Sequence, residues 1–179
     1  MKSDASHATQ ATIGTFQRDG LWQQALGMLE LMSQRQLQAD VISYSAALTA
    51  CEKDHQWQEA LILFAEMCRK SKPDLVGYNC ALRAFVKGFQ WADGLKLFEE
   101  LASRGLSPDL FSFNAAFDLC RRRKLWQEAL AYYAAMARGA VAPNELTLKL
   151  LIDTFQASRH QEHAMRLCKA MPAAEPMAR

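Results

Sequence analysis

The chain has 179 residues, of which half are apolar and 22% are charged, a balance that is typical of a folded protein and excludes an intrinsically disordered one. Its 21 Lys and Arg residues and 19 Asp and Glu residues leave a formal charge of +2, so binding of an acidic polymer must depend on where the charges lie. No apolar run reaches the roughly 18 residues that indicate a membrane span, and we expect no membrane contact.

The N-terminus and the cysteines exclude several further classes. Residues 1–5 are expected to form a short extension, and residues 1–10 show neither a secretory signal nor an Arg-rich organellar presequence. The chain has five cysteines without a C-x-x-C pair, which favours free thiols in a reducing compartment over a disulfide framework or a zinc site. These cysteines are Cys51, Cys68, Cys80, Cys120 and Cys168.

The four tryptophans reveal an internal repeat. They lie at positions 22, 57, 91 and 126, with spacings of 35, 34 and 35 residues. Each one begins an apolar stripe with helical spacing, which in the second copy consists of Trp57, Ala60, Leu61, Phe64 and Met67. A second helical stripe precedes each tryptophan, and its second copy consists of Tyr44, Ala47, Leu48 and Cys51. Each repeat is therefore predicted to be two short antiparallel helices.

A pair of short helices cannot bury its apolar face alone, so the repeats must stack. The predicted fold class is an all-α, right-handed α-solenoid of about five two-helix repeats of 34–35 residues. We place the repeats at 6–40, 41–74, 75–109, 110–144 and 145–172, within one domain over 6–172 that is followed by a tail at 173–179.

Turn signals separate the repeats. The second, third and fourth repeats end in Pro73-Asp74, Pro108-Asp109 and Pro143-Asn144. Hydroxyl residues follow these turns where the next helix is expected to have its N-cap. These residues are Ser43, Ser112 and Thr147.

Two polar rows are predicted on the first helices of the repeats. The fifth place of each repeat is polar and holds Gln10, Ser45, Asn79, Asn114 and Lys149. The thirteenth place, two turns further along the same face, holds Arg18, Lys53, Lys87 and Arg122, with Ala157 as the exception. Such rows suit a single-stranded nucleic acid, because cations can follow phosphates while amides and hydroxyls contact base edges. A cation near a helix C-terminus can instead complement the helix dipole.

The second repeat, VISYSAALTACEKDHQWQEALILFAEMCRKSKPD, and the third, LVGYNCALRAFVKGFQWADGLKLFEELASRGLSPD, resemble pentatricopeptide repeats of the P type. The resemblance covers residues 6–172 and implies sequence-specific binding of single-stranded RNA with one base per repeat. In the family, the fifth and last places together recognise the base. Carried over, these pairs are Gln10 with Asp40, Ser45 with Asp74, Asn79 with Asp109, and Asn114 with Asn144, and Lys149 has no partner.

The resemblance also implies which bases these pairs favour. The Ser45 pair is similar to those for guanine or purines, the Asn79 pair to those for uracil, and the Asn114 pair to those for cytosine or pyrimidines. With RNA running 5′ to 3′ along the chain, the expected core is G-U-C. The second places imply apolar side chains that sandwich bases, namely Ile42, Val76, Phe111 and Leu146. The thirteenth-place cations Arg18, Lys53, Lys87 and Arg122 correspond to phosphate contacts.

The alternative is a tetratricopeptide-like scaffold that binds proteins. Its pattern requires Gly or Ala at the eighth place, where this chain has larger residues such as Leu48 and Phe117. An enzyme is not expected, because the His160-Gln161-Glu162 match to zinc deaminases lacks the later P-C-x-x-C. We expect no catalytic residue, metal, cofactor or small-molecule substrate. A protein partner or self-association is possible at the solenoid ends, and the family resemblance places the protein in chloroplasts or mitochondria.

Overall fold

The computed structural model describes residues 21–37 and 39–158. Within these ranges the chain forms eight α-helices and no strand, which confirms the predicted all-α class. The helices are α1 (Trp22–Gln34), α2 (Val41–Lys53), α3 (Trp57–Lys70), α4 (Leu75–Lys87), α5 (Trp91–Ser103), α6 (Leu110–Arg123), α7 (Trp126–Arg138) and α8 (Glu145–Ala157). None of these eight helices is long and apolar enough to cross a membrane. The first helix of the first repeat and the second helix of the fifth lie outside the described residues.

The helices belong to two compact units, with the sequence boundary between Pro108 and Asp109. In the first unit, α2 packs against α1, α3 and α4, and α4 packs against α3 and α5. In the second unit, α6 packs against α7 and α8, and α7 packs against α8. Each unit is thus built from helical hairpins that contact their neighbours in sequence. The single domain over 6–172 stays a prediction.

The two predicted stripes form the core of the hairpins. The small residue three places after each tryptophan is fully buried in α1, α3 and α7, at Ala25, Ala60 and Ala129. On the first helices, Tyr44, Tyr78 and Phe113 occupy the same place and are all buried. Phe64 of α3 meets Tyr78 of α4 edge to face, with ring centroids 5.3 Å apart, so this aromatic contact joins the second repeat to the third.

The first helices α2, α4 and α6 end in the same non-glycine turn. His55, Phe89 and Lys124 follow α2, α4 and α6 by one or two residues and all have φ of 59°. Such a left-handed residue closes the helix, because the next N–H reaches back to a carbonyl in the last turn. The N–H of Gln56, for example, donates to the Cys51 carbonyl at 2.9 Å. The turn fixes the end of the helix, and with it the thirteenth place in its last turn.

Three of the core cysteines have the properties of packing residues. Cys51 and Cys120 are fully buried at equivalent places of α2 and α6. Burial raises the pKa of the Cys51 thiol to about 11 and that of Cys120 to about 12. Cys80 on α4 is also buried, and its pKa is raised to about 12. These three thiols are therefore protonated at neutral pH and unsuited to nucleophilic chemistry.

Two tyrosine hydroxyls fix the hairpins of the first unit. Tyr44 of α2 donates to Oε1 of Glu66 on α3 at 3.2 Å, and Lys70 donates to the same oxygen at 2.6 Å. Tyr78 of α4 donates to Glu100 of α5 at 3.4 Å in the same way. The hydrogen bond from Lys70 holds the pKa of Glu66 below its usual value. Burial and the nearby Glu100 carboxylate raise the pKa of Tyr78 to about 12.

Candidate functional site

The last residue of each of the first four repeats is the N-cap of the next first helix. The side chains of Asp40, Asp74, Asp109 and Asn144 each accept a hydrogen bond, at 2.9 Å, from the backbone N–H three residues later. This bond satisfies one of the free N–H groups of the helix end, and the three carboxylates also complement the positive end of the helix dipole. The last places are thus structural residues whatever else they bind.

The predicted N-caps Ser43, Ser112 and Thr147 are wrong. These residues are the third residues of α2, α6 and α8, and their own N–H groups donate to the caps. Sequence reasoning placed the helix start three residues too late, because Asp or Asn and Ser or Thr are all good caps and both kinds occur at each start. In α6 and α8 the hydroxyl also accepts from the N–H of the cap residue, which completes a capping box.

In the first unit, the predicted recognition pair Ser45 and Asp74 is joined by a hydrogen bond. The Ser45 hydroxyl on α2 donates to Oδ1 of Asp74 at 2.9 Å, and the same oxygen accepts from the N–H of Gly77. Among the described residues, no donor is placed on Oδ2 of Asp74. The fifth place of one repeat and the last place of the same repeat are therefore in direct contact, although 29 residues separate them.

In the second unit, the pair Asn114 and Asn144 is joined through Thr147. The Thr147 hydroxyl lies 2.6 Å from Oδ1 of Asn114 and 2.8 Å from Oδ1 of Asn144. Asn144 caps α8, so its Oδ1 faces the helix end. No described residue accepts a hydrogen bond from the amide nitrogen of either asparagine, and these nitrogens are available to a ligand.

The pair Asn79 and Asp109 is divided between the two units. Asn79 is half-buried on α4 of the first unit, and Asp109 caps α6 of the second. Their joint role stays a prediction. Gln10 and Arg18 lie outside the described residues, while Asp40, the partner expected for Gln10, caps α2. Lys149 is exposed on α8.

The second places carry large apolar side chains that face solvent. Their exposed fractions are 68% for Ile42, 49% for Val76, 63% for Phe111 and 50% for Leu146. Each is the second residue of its helix and therefore lies close to the N-cap. Since a first-turn position on an amphipathic helix is easily occupied by a polar residue, four apolar ones at the same place favour a role in binding.

Three of the predicted phosphate contacts are described, and they differ in their surroundings. Lys53 and Lys87 are the exposed last residues of α2 and α4, where they also complement the helix dipole. Arg122 lies in the last turn of α6, and only 27% of its side chain is exposed. Its Nη2 is 3.6 Å from Oδ2 of Asp118, one turn earlier on the same helix.

Carboxylates occupy the face between the fifth and thirteenth places. Asp118, at the ninth place of the fourth repeat, accepts from Arg121 at 2.6 Å and pairs with Arg122. Glu52 of α2 pairs with Arg83 of α4 at 2.8 Å, which joins two neighbouring first helices. These acidic side chains reduce the positive charge that this face offers to an anion.

Sequence reasoning missed the roles of Asp118, Glu52 and Thr147. The signal for Asp118 was present, because it precedes Arg121 and Arg122 by three and four residues, the spacing of a helical ion pair. The sequence pattern predicts Thr147 only as a cap. Its contact with Asn114 joins residues 33 apart and depends on how α6 packs against α8, which no local pattern shows. Among the described residues, no group of three His, Cys, Asp or Glu side chains is placed to hold a metal ion.

Two family models match the sequence. The model of the pentatricopeptide repeat domain matches residues 28–88, and that of the PPR repeat family matches residues 73–122. Together they cover just over half of the chain. The chain is a pentatricopeptide repeat protein. No curated protein matches it significantly in sequence.

Solved structures of other pentatricopeptide repeat proteins share the fold. The PPR domain of Arabidopsis thaliana protein-only RNase P 1, solved with tRNA, has a TM-score of 0.82 at 16% identity and covers 92% of this chain and 87% of that one. PPR10 from maize has a TM-score of 0.63 at 22% identity, over 94% of this chain and 30% of that one. Nuclear proteinaceous RNase P 2 from A. thaliana has a TM-score of 0.80 at 12% identity, over 92% and 37%.

The present chain thus spans about a third of the PPR10 and RNase P 2 chains. At these identities the likeness concerns the fold, which consists of helical hairpins stacked as in a solenoid.

The capping role of the last place leads to a stability prediction. Asp74→Ala should lower the free energy of unfolding by about 1–2 kcal/mol, because the Gly77 N–H and the buried Ser45 hydroxyl lose their acceptor. Asp74→Asn is the matched control, and it should stay within a few tenths of a kcal/mol because Asn and Asp cap equally well. Urea denaturation followed by circular dichroism measures both. An alanine variant as stable as the parent would refute the capping role.

Proposed function

We propose that this pentatricopeptide repeat protein binds single-stranded RNA along its first helices, one base per repeat. The observation that carries the proposal is a combination found in each unit. The fifth and last places of a repeat are joined, by a direct hydrogen bond in the first unit and through Thr147 in the second, and exposed apolar side chains lie on the same helices. In the first unit, Ser45 and the cap Asp74 belong to helices that carry exposed Ile42 and Val76. In the second unit, Asn114 and Asn144 belong to helices that carry Phe111 and Leu146. Apolar side chains can stack on a base while polar pairs contact its edge.

The chemistry of the two described pairs supports different bases. Ser45 donates its only hydroxyl proton to Asp74, so this pair offers acceptors to a ligand, chiefly the second carboxylate oxygen. Guanine presents two adjacent donors, N1–H and N2–H, on its Watson–Crick edge. The Asn114 and Asn144 pair offers amide N–H donors instead, and cytosine presents adjacent acceptors at O2 and N3. These matches agree with the purine and pyrimidine preferences that the family resemblance implies.

The cations supply the phosphate contacts in this proposal. Lys53 and Lys87 are exposed two helical turns from the fifth place, where an RNA backbone would pass if bases occupy the capped end. A phosphate would compete with the Asp118 carboxylate for the guanidinium of Arg122, because the two groups lie 3.6 Å apart. The net charge of +2 therefore conceals a local basic surface.

The structural neighbours support RNA binding and leave the downstream role open to proposal. PPR10 has been crystallised with an 18-nucleotide RNA element, at a TM-score of 0.65 and 19% identity over 90% of this chain and 24% of that one. Protein-only RNase P 1 and RNase P 2 are named for an RNA-cleaving activity, and the former matches through its PPR domain. We propose that this chain acts by binding, without catalysis of its own, in organellar RNA processing, stability or translation. The proposed location, chloroplast or mitochondrion, rests on the family resemblance. It does not rest on the structural neighbours, one of which is named as nuclear.

Fluorescence anisotropy with short labelled oligonucleotides tests the proposal. An RNA with a central G-U-C should bind at least about tenfold more tightly than its A-A-A counterpart and than the matching DNA, since each recognised base contributes about 1–3 kcal/mol. Asn114→Ala should reduce this preference. Gln127→Ala is the control, because it removes an exposed amide from the second helix α7.

Two results would contradict the proposal in different ways. Equal binding of all three oligonucleotides would leave only a basic surface without base recognition. Absence of binding at 50 mM salt would exclude RNA as the ligand of the described face.

The Asp118 carboxylate should limit affinity. Asp118→Asn removes a negative charge beside Arg121 and Arg122, and we expect about threefold tighter RNA binding and a salt dependence steeper by up to about 0.7 in log–log slope. Asp93→Asn is the matched control, because Asp93 pairs with Lys96 at the same spacing on the second helix α5. Salt titrations of binding measure both variants. A gain of the same size in both would show that only overall charge matters.

A further inference from the structure

Thr147 lies between the two asparagines of the fourth repeat. Its Oγ1 lies 2.6 Å from Oδ1 of Asn114 and 2.8 Å from Oδ1 of Asn144, and it accepts from the N–H of Asn144 at 3.2 Å. Its side chain is fully buried. Thr147 therefore cannot touch a bound RNA, although it contacts both residues expected to do so.

The hydroxyl has one proton, and the geometry determines where it goes. Oδ1 of Asn144 already accepts the backbone N–H of Thr147, and this bond fixes the orientation of the Asn144 amide. The shorter of the two oxygen contacts is the one to Asn114, at 2.6 Å. Donation to Asn114 fixes Oδ1 of that amide toward α8, so its Nδ2–H₂ group points away from Thr147.

The equivalent place in the first unit shows the alternative arrangement. Gly77 is the third residue of α4, as Thr147 is of α8, and it has no hydroxyl to offer. There the fifth-place Ser45 bonds directly to the cap Asp74 at 2.9 Å. The fifth and last places thus contact each other where the following helix has Gly77 as its third residue, and they are bridged where it has Thr147.

We propose that Thr147 is a positioning residue for base recognition, which sets the orientation of the Asn114 amide and thereby the preference of the fourth repeat for cytosine over uracil. The proposal rests on the RNA-binding function proposed above and adds a third residue to the recognition pair. With both amide nitrogens directed to the ligand, the pair offers donors to O2 and N3 of cytosine. Uracil places its own N3–H donor there, and the two donors repel. Without the Thr147 proton the Asn114 amide is free to turn its oxygen outward and accept from uracil.

Three variants test this role. Thr147→Val removes the hydroxyl with little change of volume and leaves the backbone N–H that donates to Asn144. Thr147→Ser keeps the hydroxyl. Thr154→Val is the matched control, because it also removes a buried threonine hydroxyl from α8. The Thr154 hydroxyl donates to the Leu150 carbonyl and contacts neither asparagine. The ratio of affinities for RNAs that differ only by cytosine or uracil at the base of the fourth repeat is measured for each, together with thermal stability.

We expect the ratio of the affinities for cytosine and uracil RNAs to fall toward one in Thr147→Val. The expected decrease is about fivefold, which corresponds to the net free energy of one hydrogen bond. The ratio should be unchanged in Thr147→Ser and in Thr154→Val, even where the latter loses stability. The side-chain amide signals of Asn114 in ¹⁵N–¹H spectra of the free protein should shift in Thr147→Val and stay in Thr147→Ser. This second measurement needs no RNA.

The outcomes separate the two proposals. An unchanged ratio and unchanged Asn114 signals in Thr147→Val would overturn the positioning role while leaving RNA binding intact. A parent protein that binds RNA without preferring cytosine at this base would also overturn it. A parent that binds no RNA would overturn the function and the positioning role together.

Discussion

The hydrogen bond from each first helix to the last residue of the preceding repeat is the interaction on which the rest of the structure depends. It fixes where the helix begins, and a helix with a fixed start has its second, fifth, ninth and thirteenth places on known faces. The left-handed turn at His55, Phe89 or Lys124 fixes the other end. Because both ends of the helix are fixed, the apolar stripes pack in the core, and the thirteenth-place lysines Lys53 and Lys87 are exposed.

The cap also explains how one place can serve both stability and recognition. Asp and Asn cap a helix about equally well, because each presents one oxygen to the helix N–H groups. They differ in what remains on the other side, a carboxylate oxygen in Asp74 and an amide nitrogen in Asn144. A repeat can therefore change from accepting to donating toward a ligand without losing its helix start. The neighbouring hydroxyls and carboxylates, such as Thr147 and Asp118, then adjust the orientation and charge of what is presented.

Much of this arrangement could be predicted from the sequence, because the period of 34–35 residues and the helical stripes are local signals. The helix pairs and their buried faces follow from the positions of the tryptophans and of residues such as Tyr44 and Tyr78. The helix starts were predicted three residues late, since Asp40 and Ser43 are both good caps and only the backbone shows which one accepts. The contacts of Thr147 with Asn114 and of Glu52 with Arg83 join different helices, so they depend on packing distances that a sequence pattern does not contain. The division of the chain at Pro108 likewise had no signal beyond the turn that ends every repeat.

The exchange Asn144→Asp tests most directly whether the capped ends of the first helices recognise bases. The cap should persist, so the stability of the protein should stay within a few tenths of a kcal/mol. The outward amide nitrogen becomes a carboxylate oxygen, which can accept from N3–H of uracil. The affinities of the parent and the variant for RNAs with cytosine or uracil at this one base are the quantity to measure. We predict that the preference changes from cytosine to uracil, with the preferences at the other bases unchanged. An equally stable variant that keeps the parent's preference would contradict it.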